Sequence, residues 1–167
     1  MSTRCQVQVI QEGMGEQEKV TLYHHSDGYP EHIIPCILKG FQLGKRGHRF
    51  GGKVYKADWE LGRAGKAASY LCAAHPGSFE PEAGHELHGD IRFYYQLYLG
   101  NQNGGTYAEK PRWEIEVYEP TEALWDAPPE KAFDCLRLSI PRLSVEVFAE
   151  RLAQEAKDKA EAAGLTK

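Results

Sequence analysis

The stretch of sequence that bears most directly on the fold is residues 88–99, His88-Gly89-Asp90-Ile91-Arg92-Phe93-Tyr94-Tyr95-Gln96-Leu97-Tyr98-Leu99. Apolar and polar side chains alternate along it, and successive side chains of a β-strand point to opposite faces of the sheet. The pattern therefore predicts one long strand. Its apolar face carries Ile91, Phe93, Tyr95, Leu97 and Leu99, and its other face carries His88, Asp90, Arg92, Tyr94, Gln96 and Tyr98.

Shorter alternating runs predict the other strands of the sheet. They cover residues 4–10, 19–25 and 112–118, and a last strand is marked by Leu136, Leu138 and Ile140. In the first run, Cys5, Val7 and Val9 form the apolar side. Residues 44–56 and 120–134 are rich in glycine, proline and charge, and we interpret them as loops.

Apolar residues at helical spacing predict three helices. The first follows Pro30, and two starts are open: Pro30 can occupy the first helical position, or Pro35 can delay the start. The second runs from an Asp58 cap to about His75, and the third follows a Ser144 cap. The expected fold is α+β, with an antiparallel or mixed sheet of about five strands and helices packed on one face. We expect a single domain over residues 1–167, with a frayed helix end at 157–167.

Composition bounds the class of protein. With 41% hydrophobic residues in 167, the chain can bury a real core. The net charge of -4 does not favour nonspecific binding to nucleic acid. No apolar run approaches the roughly 20 residues that span a bilayer, and no signal-peptide pattern opens the sequence. The four cysteines are scattered without a C-x-x-C pair. We therefore expect a cytoplasmic protein with buried thiols and no membrane partner.

The polar side of the predicted sheet is unusually rich in tyrosine and arginine. If helices cover the apolar face, this side is open, and it can stack planar ligands or bind phosphate groups. The residues predicted there as ligand-binding are Tyr23, Arg92, Tyr94, Tyr98, Arg112 and Tyr118. Two other interpretations stay open: an interface with a second subunit, or an ordinary solvated face with cross-strand charge pairs.

The first of two polar segments is residues 24–30, His24-His25-Ser26-Asp27-Gly28-Tyr29-Pro30. Strand geometry sends the two adjacent histidines to opposite faces. We predict that His24 is a core residue and that His25 is a site candidate. Asp27 is expected to form a turn, and Gly28 to adopt a positive φ.

The second polar segment contains His88 and Asp90, which share a face of the predicted strand. A carboxylate beside an imidazole fixes its tautomer and raises its basicity, as general-base chemistry needs. We therefore predict a catalytic group of His25, His88 and Asp90. A metal bound by these residues, with or without His85, needs a long-range contact that the sequence does not establish, and we assign no metal and no cofactor.

A glycine-rich basic segment, residues 45–56, has the G-x-x-x-x-G-K spacing of a phosphate-binding loop from Gly47 to Lys53. Val54 stands where that motif has Ser or Thr, and no strand precedes the segment, so we reject a P-loop. Its basic residues can still bind phosphates or an acidic partner, or simply be solvated. The candidates are Lys45, Arg46, Arg49 and Lys53.

Three segments together resemble a loose group of short, uncharacterised bacterial and phage proteins. The segments are the start Met1-Ser2-Thr3-Arg4-Cys5, the Asp27-Gly28-Tyr29-Pro30 turn with the residues before it, and the His88-Gly89-Asp90-Ile91 stretch. The resemblance covers mainly residues 1–40 and 85–99 and implies no activity. It does imply that the last two segments form one spatial unit.

Our leading hypothesis from the sequence is a non-enzymatic module that binds a phosphate-bearing ligand or an acidic partner on the open sheet face. The first alternative is a hydrolase or lyase in which Asp90 orients His88 and His25 assists, with or without a metal. The second is a homodimer whose interface is the open face. A serine or cysteine nucleophile has no support, because no G-x-S-x-G is present and no cysteine is adjacent to a histidine in sequence.

Overall fold

The computed structural model of the chain describes residues 3–12, 18–46, 48–50, 53–55, 61–101 and 111–164. The strands are β1 (Cys5–Gln11), β2 (Lys19–His24), β3 (His48–Phe50), β4 (Lys53–Tyr55), β5 (Glu80–Pro81), β6 (Phe93–Asn101), β7 (Pro111–Pro120) and β8 (Leu136–Ser144). The helices are α1 (Pro30–Arg46), α2 (Ala64–Ala74) and α3 (Val145–Ala162), with 3-10 helices at Glu122–Asp126 and Pro129–Cys135.

Six strands form one mixed sheet in the order β5-β2-β1-β6-β7-β8. β1 pairs in parallel with β6, and the other neighbours are antiparallel. The predicted α+β class is confirmed. Within this six-stranded sheet, the strand missed by the prediction is β5, which has two residues and includes Pro81. Proline donates no ladder hydrogen bond, so it is tolerated at a sheet edge such as this one.

The main core lies between the apolar face of the sheet and all three α-helices. Trp113 of β7 is fully buried there, stacks at 5.0 Å from Phe41 of α1 and donates from Nε1 to the carbonyl of Leu61 at 2.9 Å. The predicted apolar positions of β1 and of residues 93–99 face this core, although Phe93 is only partly buried where it packs against it.

The start of α1 is the earlier of the two that the sequence left open. The helix begins at Pro30 and continues through Pro35. An interior proline costs about 3 kcal/mol through its lost hydrogen bond. Ile33 and Ile34 precede Pro35 and are fully buried, so burying both can offset that cost, at about 1.5–3 kcal/mol each.

Two predicted loops contain regular structure. Residues 44–56 hold the end of α1 and the β3–β4 hairpin, and residues 120–134 hold most of the two 3-10 helices. The second helix begins at Ala64 instead of Asp58, a residue outside the described part of the chain. The predicted Ser144 cap is confirmed: its hydroxyl accepts from the Val147 amide at 3.2 Å.

The opposite face of the sheet is not open, which corrects the central assumption about the site. A second, smaller core of Tyr23, Ile91, Tyr94, Leu124 and Ala132 lies on it. The 3-10 helices cover one part. Another part is covered by residues 82–92, here called the strap. Consequently the predicted long strand is too long: β6 begins at Phe93, and Ile91 faces the second core.

Candidate functional site

The strap is held to β1 by the side chain of Gln6, which is fully buried. Its Nε2 donates to Glu82 Oε2 at 2.7 Å and to the Glu86 carbonyl at 2.9 Å. Its Oε1 accepts from the His88 amide at 2.9 Å. A buried amide that lost these partners would carry a desolvation cost, so Gln6 fixes the strap at three points.

The two ends of the strap are fixed by neighbouring residues. Near its start, His85 Nδ1 lies 2.8 Å from Thr21 Oγ1 on β2. Near its end, Asp90 forms an ion pair with Arg4, and the Arg92 amide donates to the Arg4 carbonyl at 2.8 Å. The strap therefore lies flat across β1 and β2.

Between the strap, β5 and β2 lies a cleft of about 560 Å³. Its lining is polar apart from a short segment of small residues. The side chains that matter for chemistry are Arg4, Tyr23, His25, Glu80, Glu82, Glu86, His88 and Asp90. We call this the Tyr23 cleft, because the buried ring of Tyr23 contacts both histidines that line it.

Each histidine of the Tyr23 cleft has a carboxylate partner. His25 Nε2 lies 3.0 Å from Glu80 Oε2, and His88 Nε2 lies 2.6 Å from Glu82 Oε1. Both imidazole rings contact Tyr23, with centroids 4.7 Å from its ring. The result is an aromatic centre flanked by two imidazole–carboxylate pairs.

Asp90 and Tyr23 form the third polar unit of the cleft. The Tyr23 hydroxyl donates to Asp90 Oδ1 at 3.3 Å, beside the Arg4–Asp90 pair. Burial raises the pKa of Tyr23, the negative charge of Asp90 raises it further, and Arg4 lowers it. The phenol is therefore a stable donor at neutral pH.

The three residues predicted as catalytic all line this cleft, but their pairing differs from the prediction. Asp90 does not orient His88; it pairs with Arg4, and Glu82 pairs with His88. The reason is local: residues 89–90 form a turn before β6, so strand alternation does not apply to them. The missed residues are Glu80 and Glu82, whose one-residue spacing about Pro81 was an available signal for two carboxylates on one side.

The tyrosines predicted as a stacking platform are engaged internally. Tyr94 is 1% exposed and packs against Phe133 at 5.7 Å. The hydroxyls of Tyr98 and Tyr118 donate to Glu116 Oε2 at 2.8 and 2.7 Å. Burial raises the pKa of all three tyrosines, that of Tyr118 to about 12.

The arginines at this end of the sheet also have internal roles. Arg142, which the sequence did not single out, lies 4.1 Å from the Tyr98 ring and binds Glu12 and Glu114. Arg112 lies 3.9 Å from Glu114. Arg92 is exposed but is not among the residues that line the cleft. The interpretation as cross-strand charge pairs thus describes much of this region.

The basic residues of the predicted loop do not form one group in the described chain. Lys45 and Arg46 belong to the last turn of α1. Lys45 Nζ lies 3.6 Å from Glu146 and 4.1 Å from the Phe41 ring centroid. Arg49 and Lys53 lie on β3 and β4, and their side chains fall outside the described part of the structure.

The Asp27 turn packs on the beginning of β1. Asp27 itself has the positive φ, 54°, that was expected of Gly28. Gly28 is required for a different reason: a Cβ there would lie 2.8 Å from Cys5 Cβ. The Gly28 amide donates to the Thr3 carbonyl at 2.8 Å, and its carbonyl accepts from the Tyr95 hydroxyl at 2.7 Å.

Behind the sheet edge lies a second group of polar side chains, here called the imidazole cluster: His24, His32, Cys36 and His75. His24 is 3% exposed, which confirms its predicted core position. Cys36 Sγ lies 3.7 Å from His32 Nε2 and 3.8 Å from His75 Nδ1. Sequence adjacency could not reveal these contacts, although His32 and Cys36 are one helical turn apart.

Burial and neighbouring charge set the protonation of the imidazole cluster. Burial lowers the pKa of both His24 and His75, and it raises the pKa of the Cys36 thiol. At neutral pH, His24, His75 and Cys36 are therefore uncharged when packed. Within the described residues, no set of three or more His, Cys, Asp or Glu side chains is arranged to hold a metal ion.

Comparison with protein-family models, curated proteins and solved structures gives no match for this chain. None of the helices in the described ranges has both the length and the apolar character needed to cross a bilayer.

A first prediction concerns Gln6. Replacing it with methionine keeps its approximate volume but leaves the Glu86 carbonyl and the His88 amide without this partner. We expect Gln6→Met to lower the free energy of unfolding by about 2–4 kcal/mol, since each buried group left unsatisfied costs about 1–3 kcal/mol. Urea denaturation measures this.

The control is Gln8→Met, which changes a similarly buried glutamine on the same face of β1, beyond the strap. Equal losses of stability in the two variants would contradict the anchoring role of Gln6.

Proposed function

We propose that this protein is a binding module whose site is the Tyr23 cleft and whose ligand is a small organic cation that carries an amine. The observation that carries the proposal is the charge of the cleft. Four carboxylates line it, from Glu80, Glu82, Glu86 and Asp90, against the single guanidinium of Arg4. A volume of about 560 Å³ lies in the range of small-molecule sites.

The charge balance favours a cation over the phosphate-bearing ligand expected from the sequence. Arg4 is already paired with Asp90, so the carboxylate balances the positive charge that would attract an anion. A cleft lined by one sign of charge concentrates ions of the opposite sign. A phosphate entering here would instead face the carboxylates of Glu80 and Glu86.

The existing contacts indicate which groups would hold an amine. Both oxygens of Glu82 are occupied, by His88 and Gln6, and both oxygens of Asp90 are in contact with Arg4 or Tyr23. Glu86 and the second oxygen of Glu80 are acceptors outside these pairs. Each can form a charge-assisted hydrogen bond to an ammonium group, the stronger class of hydrogen bond.

Three four-carbon probes test this proposal: putrescine, butanediol and succinate, which differ in charge more than in size. We expect putrescine alone to shift the NMR resonances of Tyr23, His25 and His88 in a saturable way. Added salt should weaken the effect, because exposed charge pairs are screened.

The matched variants are Glu86→Gln, expected to weaken putrescine binding by about 1–3 kcal/mol through a lost charged hydrogen bond, and Glu122→Gln, expected to leave it unchanged. Stronger shifts with succinate than with putrescine would overturn the choice of a cation.

A second candidate function is general acid–base catalysis, and it rests on the His88–Glu82 pair. Glu82 is 17% exposed and is fixed at Oε2 by Gln6, while its Oε1 meets His88 Nε2 at 2.6 Å. A carboxylate held in this way stabilises the imidazolium that forms when the other ring nitrogen accepts a proton. In the hydrolase or lyase hypothesis, the carboxylate that orients His88 is thus Glu82 instead of Asp90.

Hydrolysis of p-nitrophenyl acetate tests this second candidate. If His88 acts as a base, Glu82→Gln should lower kcat by about 10²–10⁴-fold, the range of general-base contributions. The control is Asp90→Asn, which alters the carboxylate paired with Arg4 and should have a much smaller effect. Equal rates in the wild type, Glu82→Gln and His88→Gln would reject this role.

A further inference from the structure

The imidazole cluster and the Tyr23 cleft lie on opposite sides of the same sheet edge, formed by β2 and β5. Neighbouring residues connect the two sites. His24, the last residue of β2, faces the cluster, and His25, the residue after it, faces the cleft. At β5, Phe79 packs against His24 at 5.0 Å, and the next residue, Glu80, lines the cleft. A movement of this edge therefore affects both sites.

The backbone pairing along this edge is short. β5 has only two residues, and one of them, Pro81, has no amide hydrogen. Past Pro81, the Glu82 amide donates to the Thr21 carbonyl at 2.9 Å. On the cluster side, Phe79 is 4% exposed and contacts the rings of His24 and His75. The packing of Phe79 against these imidazoles is thus a main contact that holds the edge in place.

Protonation of the cluster opposes this packing. The ionisable groups that act on it are His25 and Asp27 from β2 and the turn after it, His32, Cys36 and Lys39 from α1, and His75 at the end of α2. Asp27 favours a charge on His24, but burial and His32 disfavour it. For His75, burial, Lys39 and His32 all disfavour it. Two protons would therefore place like charges side by side in a poorly solvated region.

We propose that the imidazole cluster is an acid-sensitive switch for the Tyr23 cleft. Proton uptake by His24 and His75 releases Phe79 and β5 from β2, which removes the Glu80 side of the cleft and so disables ligand binding. Only the last step, the loss of ligand binding, rests on the proposed function. The opening of β5 is a property of the chain without ligand.

The direction of the pH dependence follows from the protonation states. Both pKa values are lowered in the packed state, so the packed edge is fully stable above the ordinary histidine pKa of about 6.5 and loses stability as the pH falls below it. For each proton taken up on opening, the equilibrium constant for opening of the edge rises by up to about tenfold for each unit that the pH falls.

Amide hydrogen exchange from about pH 7.5 to about pH 5 tests the switch, because this range brackets the ordinary histidine pKa. Protection of the Glu82 amide reports the opening of β5, and amides of β6 and β7 report global unfolding. We expect the opening constant measured at the Glu82 amide to rise by up to about a hundredfold for each unit that the pH falls, because two protons are taken up on opening. The rise should fall to about tenfold in His24→Gln or His75→Gln and vanish in the double variant.

The control is His25→Gln, which changes a histidine on the cleft side of the same edge and should leave the rise intact. An unchanged rise in the double variant, or an equal rise at the β6 and β7 amides, would overturn the proposal. His75→Gln, at a more exposed position, keeps the test available if His24→Gln does not fold.

Because exchange is measured without a ligand, its outcome is independent of putrescine binding. Failure of putrescine to bind at any pH rejects the proposed function alone, and a flat exchange profile rejects the switch alone.

Discussion

The side-chain amide of Gln6 is the constraint on which the second half of this structure depends. Gln6 is fully buried on β1, between β2 and β6, so its polar atoms need protein partners. The strap supplies them from Glu82, the Glu86 carbonyl and the His88 amide. Once the strap is in place, Ile91 closes the second core and Glu82 lies beside His88. The second core and the Tyr23 cleft are thus consequences of satisfying one buried amide.

The fold class could be predicted because period-two alternation is a strong local signal. It identified β1, β2, β6 and β7, and the resulting mixed sheet, with the three α-helices on one face, is confirmed. The same signal was misleading at the N-terminal end of the predicted long strand. Ile91 keeps the apolar phase of Phe93, yet it faces the other side of the sheet. The Arg4–Asp90 pair and the bonds of Gln6, contacts between residues 76 to 86 apart in sequence, help to decide where β6 begins.

The candidate site was predictable in part of its membership but not in its pairing. His25, His88 and Asp90 do meet in one cleft, yet the carboxylates that partner the histidines are Glu80 and Glu82. A sequence gives residue types and faces, whereas the charge of a cleft depends on which chain segments close it. That is why a face expected to bind phosphate instead presents a cleft lined by four carboxylates. The edge formed by β2 and β5 separates this cleft from the imidazole cluster, so a movement of the edge affects both sites.

The central claim is that the Gln6 amide holds the strap against β1. The most direct measurement is a ¹⁵N-edited NOE experiment on the side-chain amide of Gln6. The account predicts contacts from its Nε2 protons to the backbone around Glu86 and His88, together with slow exchange of these protons with solvent. Rapid exchange with water and the absence of contacts to residues 82–88 would contradict it.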